Sequence, residues 1–224
     1  MITRLRHFIG QLRRRFVLSK YGRFQGRFRE DLSWSKAARL FPDRNDLHAY
    51  FHHHFVHLAP REIRQHREYF ASHGRGFGED AFHAFWWILL RERKPLRCVE
   101  IGVYRGQTLS LWGLCARLAR FEIELHGISP FEPIGDSVSS YRDDVDYLRE
   151  TQEAVTTFGG VEAHLIRASS ESASGVQHLS DHKWDLIYID GGHDYATVLH
   201  DYETSKDNLR PGGLLVMDDS SLQT

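Results

Sequence analysis

Two stretches in the second half of the chain decide the fold: WDLIYIDGGHDY at 184–195 and LRPGGLLVMDD at 209–219. Each is a short apolar run that stops abruptly at an acid, and helix-compatible sequence lies between them. Asp194 stands where a helix N-cap belongs, and Tyr195, Val198, Leu199 and Tyr202 fall on one helical face. The Pro211-Gly212-Gly213 turn is expected to close that helix before the last strand. A strand, an amphipathic helix and a second strand make a βαβ unit, whose strands run parallel.

The same rhythm recurs upstream. Strands are predicted at 97–101 (RCVEI), 123–128 (IELHGI), 162–167 (EAHLIR), 185–190 (DLIYID) and 213–218 (GLLVMD). The predicted class is therefore α/β, a Rossmann-like doubly wound and mainly parallel sheet of five strands with an N-terminal helical extension. Residues 32–90 read as helical and rich in aromatics and histidine, with Pro42 and Pro60 as breaks and Gly74, Gly76 and Gly78 as a flexible joint. The expected organisation is a basic amphipathic segment at 1–30, a helical cap at 31–94 and an α/β domain at 95–224.

The chain has 224 residues, of which 41% are hydrophobic, with 29 Lys+Arg against 30 Asp+Glu. That balance excludes disorder, collagen and coiled coil and leaves a globular protein with a proper core. Cys98 and Cys115 are too few for a disulfide scaffold and read as small buried hydrophobes, which favours a reducing compartment. The longest apolar run, Ala84–Leu90, is far short of a membrane span. No secretory pattern follows the Arg-rich start, so the expected location is the cytoplasm.

Balance conceals asymmetry. Residues 1–30 carry eight Arg and one Lys against the single acid Glu30, whereas 180–224 carry nine acids against three bases. Ile2, Leu5, Phe8, Ile9, Leu12 and Phe16 recur at helical spacing among the arginines. They read as a basic amphipathic helix, packed on its own protein or touching an anionic surface, with no specific nucleic acid expected.

The first chemical signal is Glu100-Ile-Gly102-Val103-Tyr104-Arg105-Gly106, where a strand ends and a helix begins. Glycine serves a sharp turn and close ligand approach, and a helix N-terminus offers free N–H groups. A dinucleotide fingerprint would be GxGxxG, but its second glycine is Tyr104 here, which disfavours a nicotinamide-dependent oxidoreductase. The second signal is the set Asp190, Asp218 and Asp219 at strand ends, where open α/β sheets bind ligands. Three converging carboxylates repel one another unless a cation or proton separates them, and oxygen ligands suit Mg²⁺ or another hard divalent ion.

An acid on the strand followed by GxxxG resembles motif I of class I S-adenosylmethionine-dependent methyltransferases. IDGGHDY followed by RPGGLLVMDD resembles the small-molecule O-methyltransferases that include macrocin O-methyltransferase and cephalosporin-biosynthesis relatives, over about residues 96–221. The resemblance implies S-adenosylmethionine held by Glu100, Gly102, Val103, Gly106, Ser129, Ser169, Ser170 and Asp190. It implies a metal held by Asp190, Asp218 and Asp219, with His193 and Asp190 in catalytic roles and His193 taking the substrate proton. The substrate would be a hydroxyl of a small molecule, a sugar or a secondary metabolite, and a homo-oligomer is compatible with this reading.

The pattern departs from its relatives in places. Where relatives end the second strand on an acid, this chain has Ser129, with Glu132 as a substitute, and Ala168 stands where they often have Gly. A class I sheet has seven strands and only five are visible, so two further strands, or a partner that completes the sheet, are expected. The alternative is then a methyltransferase-like binding protein without activity. The His-rich run at 47–60 pairs His48 with His52 and His53 with His57 at i,i+4, which suits Zn²⁺ or Ni²⁺, or else packing among Tyr50, Phe51 and Phe55.

Overall fold

The computed structural model describes residues 30–135 and 141–218. The predicted amphipathic helix at the N-terminus, Asp219 and the side chain of His73 lie outside the described residues. Among the described residues four α-helices precede the sheet: α1 (Trp34–Leu40), α2 (Arg44–His57), α3 (Arg61–Ala71) and α4 (Asp80–Arg93). Then come β1 (Arg97–Ile101), α5 (Gln107–Ala119), β2 (Glu124–Ser129), α6 (Tyr147–Ala154), β3 (Ala163–Arg167), α7 (Ala173–Ser180), β4 (Trp184–Ile189), α8 (Tyr195–Lys206) and β5 (Leu209–Met217).

The five strands are all parallel, in the order β3-β2-β1-β4-β5. Order reverses between β1 and β4, which places the switch point beside the Glu100 loop, where open parallel sheets take their ligands. Alternation sends Val99, Ile101, Ile128, Ile187 and Ile189 to one face, with Leu179 of α7. Cys98, Leu125, Leu186 and Tyr188 go to the other face, under α4 and α5.

One cluster of buried side chains runs without a break from Leu32 in the N-terminal region to Tyr188 on β4. Its hinge is aromatic: Trp86 of α4 meets Trp112 of α5 at 5.0 Å and Tyr188 at 5.2 Å between ring centres. A buried polar chain runs beside it, with His83 Nε2 3.0 Å from His66 Nδ1 and His66 Nε2 2.9 Å from the Ser110 hydroxyl. It ties α3, α4 and α5 together. Cys98 and Cys115 are free and buried, as hydrophobes of their size should be.

Two expectations fail on α8 and β5. Tyr195 is 81% exposed and Leu199 and Tyr202 are also exposed, while the buried residues of that helix are Asp201 and Ser205. The helix ends at Lys206, and β5 begins at Leu209, so Pro211-Gly212-Gly213 lies inside the strand instead of closing the helix. Pairing has already begun before that turn, since the Trp184 N–H donates to the Asn208 carbonyl at 2.9 Å. The extra residues are absorbed as a register shift between Trp184 and Leu186, with Gly212 at φ +80°. Asp194 does cap α8, accepting from the Thr197 N–H at 3.1 Å.

Candidate active site

β1 delivers Glu100 to the carboxyl end of the sheet and turns there. Gly102 has φ +92°, and a Cβ built on it would sit 2.1 Å from the Asp190 carbonyl oxygen. The close approach that demands glycine is therefore the neighbouring β4 loop, which the Asp190 N–H bond to the Ile101 carbonyl (2.8 Å) draws alongside. Gly106, also at positive φ, is the N-cap of α5 and contributes no side-chain cap. Val103 is buried beneath the turn.

Glu100 fills that gap from below. Its carboxyl is fully buried and takes hydrogen bonds from the Thr108 hydroxyl and the Leu109 N–H, so it sits at the positive end of α5. Burial pushes its pKa well up, and the charge of Asp190 pushes the same way. Its Oε2 is buried with no hydrogen-bond partner. An orphaned acceptor of this kind is costly unless a donor reaches it.

Next door, the Tyr188 hydroxyl donates to Asp218 Oδ2 at 2.6 Å. Burial drives the Tyr188 pKa far up, and Asp190, Asp218 and Glu100 all add to the effect. Tyr188 is thus bonded to Asp218 and influenced by the charges of Asp190 and Glu100. Asp190 is half-buried and Asp218 exposed. His193 is half-buried in the loop between β4 and α8, just before the cap residue Asp194.

The ends of β2 and β3 complete the rim. The Ser129 hydroxyl is buried and donates to the Val103 carbonyl at 3.0 Å, which fastens the glycine loop to β2. Glu132 pairs with Arg167 at 3.1 Å. The Ser169 hydroxyl accepts from the Glu171 N–H at 3.4 Å, and its carbonyl accepts from the Ser172 hydroxyl, so Ser169 belongs to the turn that opens α7. Ser170 is buried.

Asp201 was invisible to the sequence reading. It is 1% exposed, its Oδ2 lies 3.6 Å from where a Gly191 Cβ would stand, and burial raises its pKa while the Ser170 hydroxyl opposes that rise. Its only sequence signal was an acid at i+7 from the cap Asp194, on a helix whose apolar residues pointed elsewhere.

The glycine joint of the N-terminal region also reaches the site. Positions where Gly76 and Gly78 would carry a Cβ are taken by the Gln107 amide at the start of α5, so the segment is clamped onto the loop. Phe77 packs on Tyr104 at 4.8 Å, and Arg105 pairs with Glu150. The His-rich run of α2 is engaged nearby: buried His54 meets Asp31 at 2.8 Å, His48 contacts Glu79, and His52 lies 3.7 Å from Asp80.

A sulfonium cofactor fits the residues present. Its methionine portion brings an ammonium, which complements the orphaned Glu100 oxygen, with the acid Asp190 close enough to influence it. Of the predicted metal ligands, Asp190 and Asp218 stand at the carboxyl ends of β4 and β5, and Asp219 lies outside the described residues. No helix among the described residues is long and apolar enough to cross a membrane.

A parallel α/β sheet with a glycine turn and acids at its switch point defines a Rossmann-like, cofactor-binding methyltransferase fold. The methyltransferase domain family matches residues 99–220, and the chain belongs to that family. No curated protein matches it in sequence. Among solved structures, a caffeoyl-CoA O-methyltransferase of Staphylococcus aureus, itself described as putative, aligns with a TM-score of 0.55 at 14% identity, covering 76% of this chain and 72% of its own. An S-adenosylhomocysteine-bound methyltransferase of Podospora anserina aligns at 0.51 and 20% identity, covering 71% and 62%. An O-methyltransferase of Bacillus cereus in complex with S-adenosylhomocysteine aligns at 0.51 and 11%, covering 75% and 71%. The chain thus spans less than two thirds of the Podospora protein.

Proposed function

We propose that the chain binds S-adenosylmethionine over the Glu100–Gly106 loop and transfers its methyl group to a hydroxyl of a small molecule. The observation that carries this reading is the buried, unpartnered Glu100 oxygen, facing a loop whose backbone is locked to the Asp190 tip through Gly102. When bound, the cofactor supplies an electrophilic methyl on a good leaving group, so the protein's task is alignment and desolvation.

Glu100 and Asp190 offer carboxylates to the cofactor's cationic and hydroxyl groups. Ser129 acts indirectly, because its hydroxyl is committed to the Val103 carbonyl and holds the loop in place. Ser170 and Asp201 support the facing rim. His193 stands at the mouth of the loop and takes the acceptor's proton in this reading. Asp218 orients the Tyr188 hydroxyl. A hydroxyl acceptor agrees with the O-methyltransferase names of the aligned Staphylococcus and Bacillus proteins.

Calorimetry with S-adenosylhomocysteine tests the site. A cation beside Glu100 lowers the carboxyl's raised pKa, so binding should release protons, seen as a dependence of the heat on buffer ionisation. Glu100→Gln should weaken binding by about tenfold, the loss of one charge-assisted hydrogen bond, and remove the proton release. Unchanged affinity together with unchanged proton release would rule out Glu100 as a ligand.

A further inference from the structure

At the opposite end of the sheet a second group of side chains converges, far from the cofactor loops. The register pairs His126 of β2 directly with His164 of β3, and Glu124 lies two residues before His126 on the same face. The two imidazole rings stack at 4.7 Å between centres and 25° between planes. Glu124 Oε1 is 2.9 Å from His126 Nε2. Glu124, His126 and His164 each offer a ligand atom, and the three atoms lie within 4.8 Å of one another, the only such trio among the described residues.

We propose that Glu124, His126 and His164 form a binding site for a divalent transition metal of the zinc class. Two imidazoles and one carboxylate are the donors such an ion prefers, and hard calcium or magnesium would want oxygen alone. In a tetrahedral zinc site with bonds of about 2.1 Å, ligand atoms stand about 3.4 Å apart. Glu124 Oε1 is already 2.9 Å from His126 Nε2, and all three ligand atoms lie within 4.8 Å of one another. Three protein ligands leave a fourth position for water, and exposed His164 provides the way in.

The surroundings are those of a supported site. Glu124 keeps Oε1 toward the histidines because Oε2 accepts from Arg97 Nε at 2.9 Å. His126 is 2% exposed, and its second nitrogen, Nδ1, is 3.0 Å from His178 Nε2 on α7. With a metal on Nε2, the ring's single proton moves to Nδ1 and is donated to His178, so no proton need leave the pair. His178 is itself placed by its neighbour, since the His182 ring nitrogen Nδ1 donates to the His178 carbonyl at 3.0 Å. His126, His178 and His182 pack around Trp184, where apolar side chains would fill the space at lower desolvation cost.

The untagged full-length chain is titrated with zinc against a chromophoric chelator, and with cobalt(II) while its visible spectrum is recorded. One equivalent of zinc should bind, and cobalt should give the intense visible bands of a four-coordinate site. His164→Ala, at an exposed position, and Glu124→Gln should each remove both signals, while His178→Ala should weaken zinc by about 10- to 100-fold. Affinity for S-adenosylhomocysteine should be unchanged in His164→Ala. The proposal is overturned if no zinc equivalent binds. It is equally overturned if binding survives in His164→Ala and is lost instead on replacing His48, His53 and His57 of α2.

Discussion

The two ends of β2 carry opposite chemistry about 16 Å apart, the rise of five residues along a strand. Ser129 at one end fastens the glycine loop that follows the buried acid Glu100. Glu124 at the other end lies against the imidazoles of His126 and His164, the trio proposed to hold a metal. One sheet register produces both arrangements. The same alternation that sends Val99, Ile101 and Ile128 into the α7–α8 face sends His126 there too, whereas Glu100 and Tyr188 go to the α4–α5 face. Polar residues on a buried strand face mark places where packing was given up for something else.

The sharpest way to break the comparison is at Gly102. A Val side chain must enter space held by the Asp190 carbonyl and the Gly191 Cα, with φ at +92°. Gly102→Val should therefore force the β1 and β4 loops apart, lower stability by about 2–3 kcal/mol, and abolish S-adenosylhomocysteine binding in calorimetry. Zinc binding at the far end should survive in whatever fraction stays folded. Loss of both together, in protein that melts cooperatively, would show that the ends are one site.

A second, smaller effect separates the ends by the sign of their pH dependence. Burial holds the His126 pKa at about 4. Its unfolded counterpart titrates near 6.5, so the unfolded state binds more protons between those values and stability falls as pH drops through that window. Glu100 runs the other way. Its folded pKa is raised, so the folded state holds the extra proton and stability falls as pH climbs above the ordinary Glu value of about 4.3. Each group contributes at most about 1.4 kcal/mol per pH unit. Urea unfolding from pH 4 to 7 should show a steeper acid-side loss in Glu100→Gln and a shallower one in His126→Gln. His83, buried and held at about 3, adds to the acid-side slope in both variants. Parallel profiles for the two variants would refute the assignment.

The sequence exposed the carboxyl end much better than the amino end, for physical reasons. Strands that end in Asp190 and Asp218, and a glycine turn after Glu100, are local patterns that survive without tertiary knowledge. The five strand positions followed from apolar alternation, and only the start of β5 moved, because pairing with β4 runs through Pro211-Gly212-Gly213 as a bulge. Asp201 and Ser205 were illegible because α8 turns its polar side inward, beneath the Asp190–Gly191 loop, and leaves Tyr195 in solvent. The Gly74–Gly78 segment reads as a joint until Gln107 is seen filling the space above Gly76 and Gly78. Glu124, His126, His164 and His178 are spread over 55 positions of sequence, and only the β2–β3 register brings them together. The histidine run at 47–60 attracted the metal reading instead, yet Asp31, Glu79 and Asp80 approach its rings as ion-pair partners.

The smallest expected effect is the interaction between the two ligands. Sites more than about 10 Å apart that share no partners behave additively to within about 0.5 kcal/mol. Nothing in the register ties His164, on the edge strand β3, to the Glu100 loop except β2 itself, and β2 is paired on both sides from Leu125 through Ile128. Zinc and S-adenosylhomocysteine should therefore raise the melting temperature by shifts that simply add. A ligand can move another's affinity only through a difference it makes between two states of the protein. A coupling above about 1 kcal/mol would mean that β2 slides or twists between two registers, carrying Ser129 and its grip on the Val103 carbonyl with it.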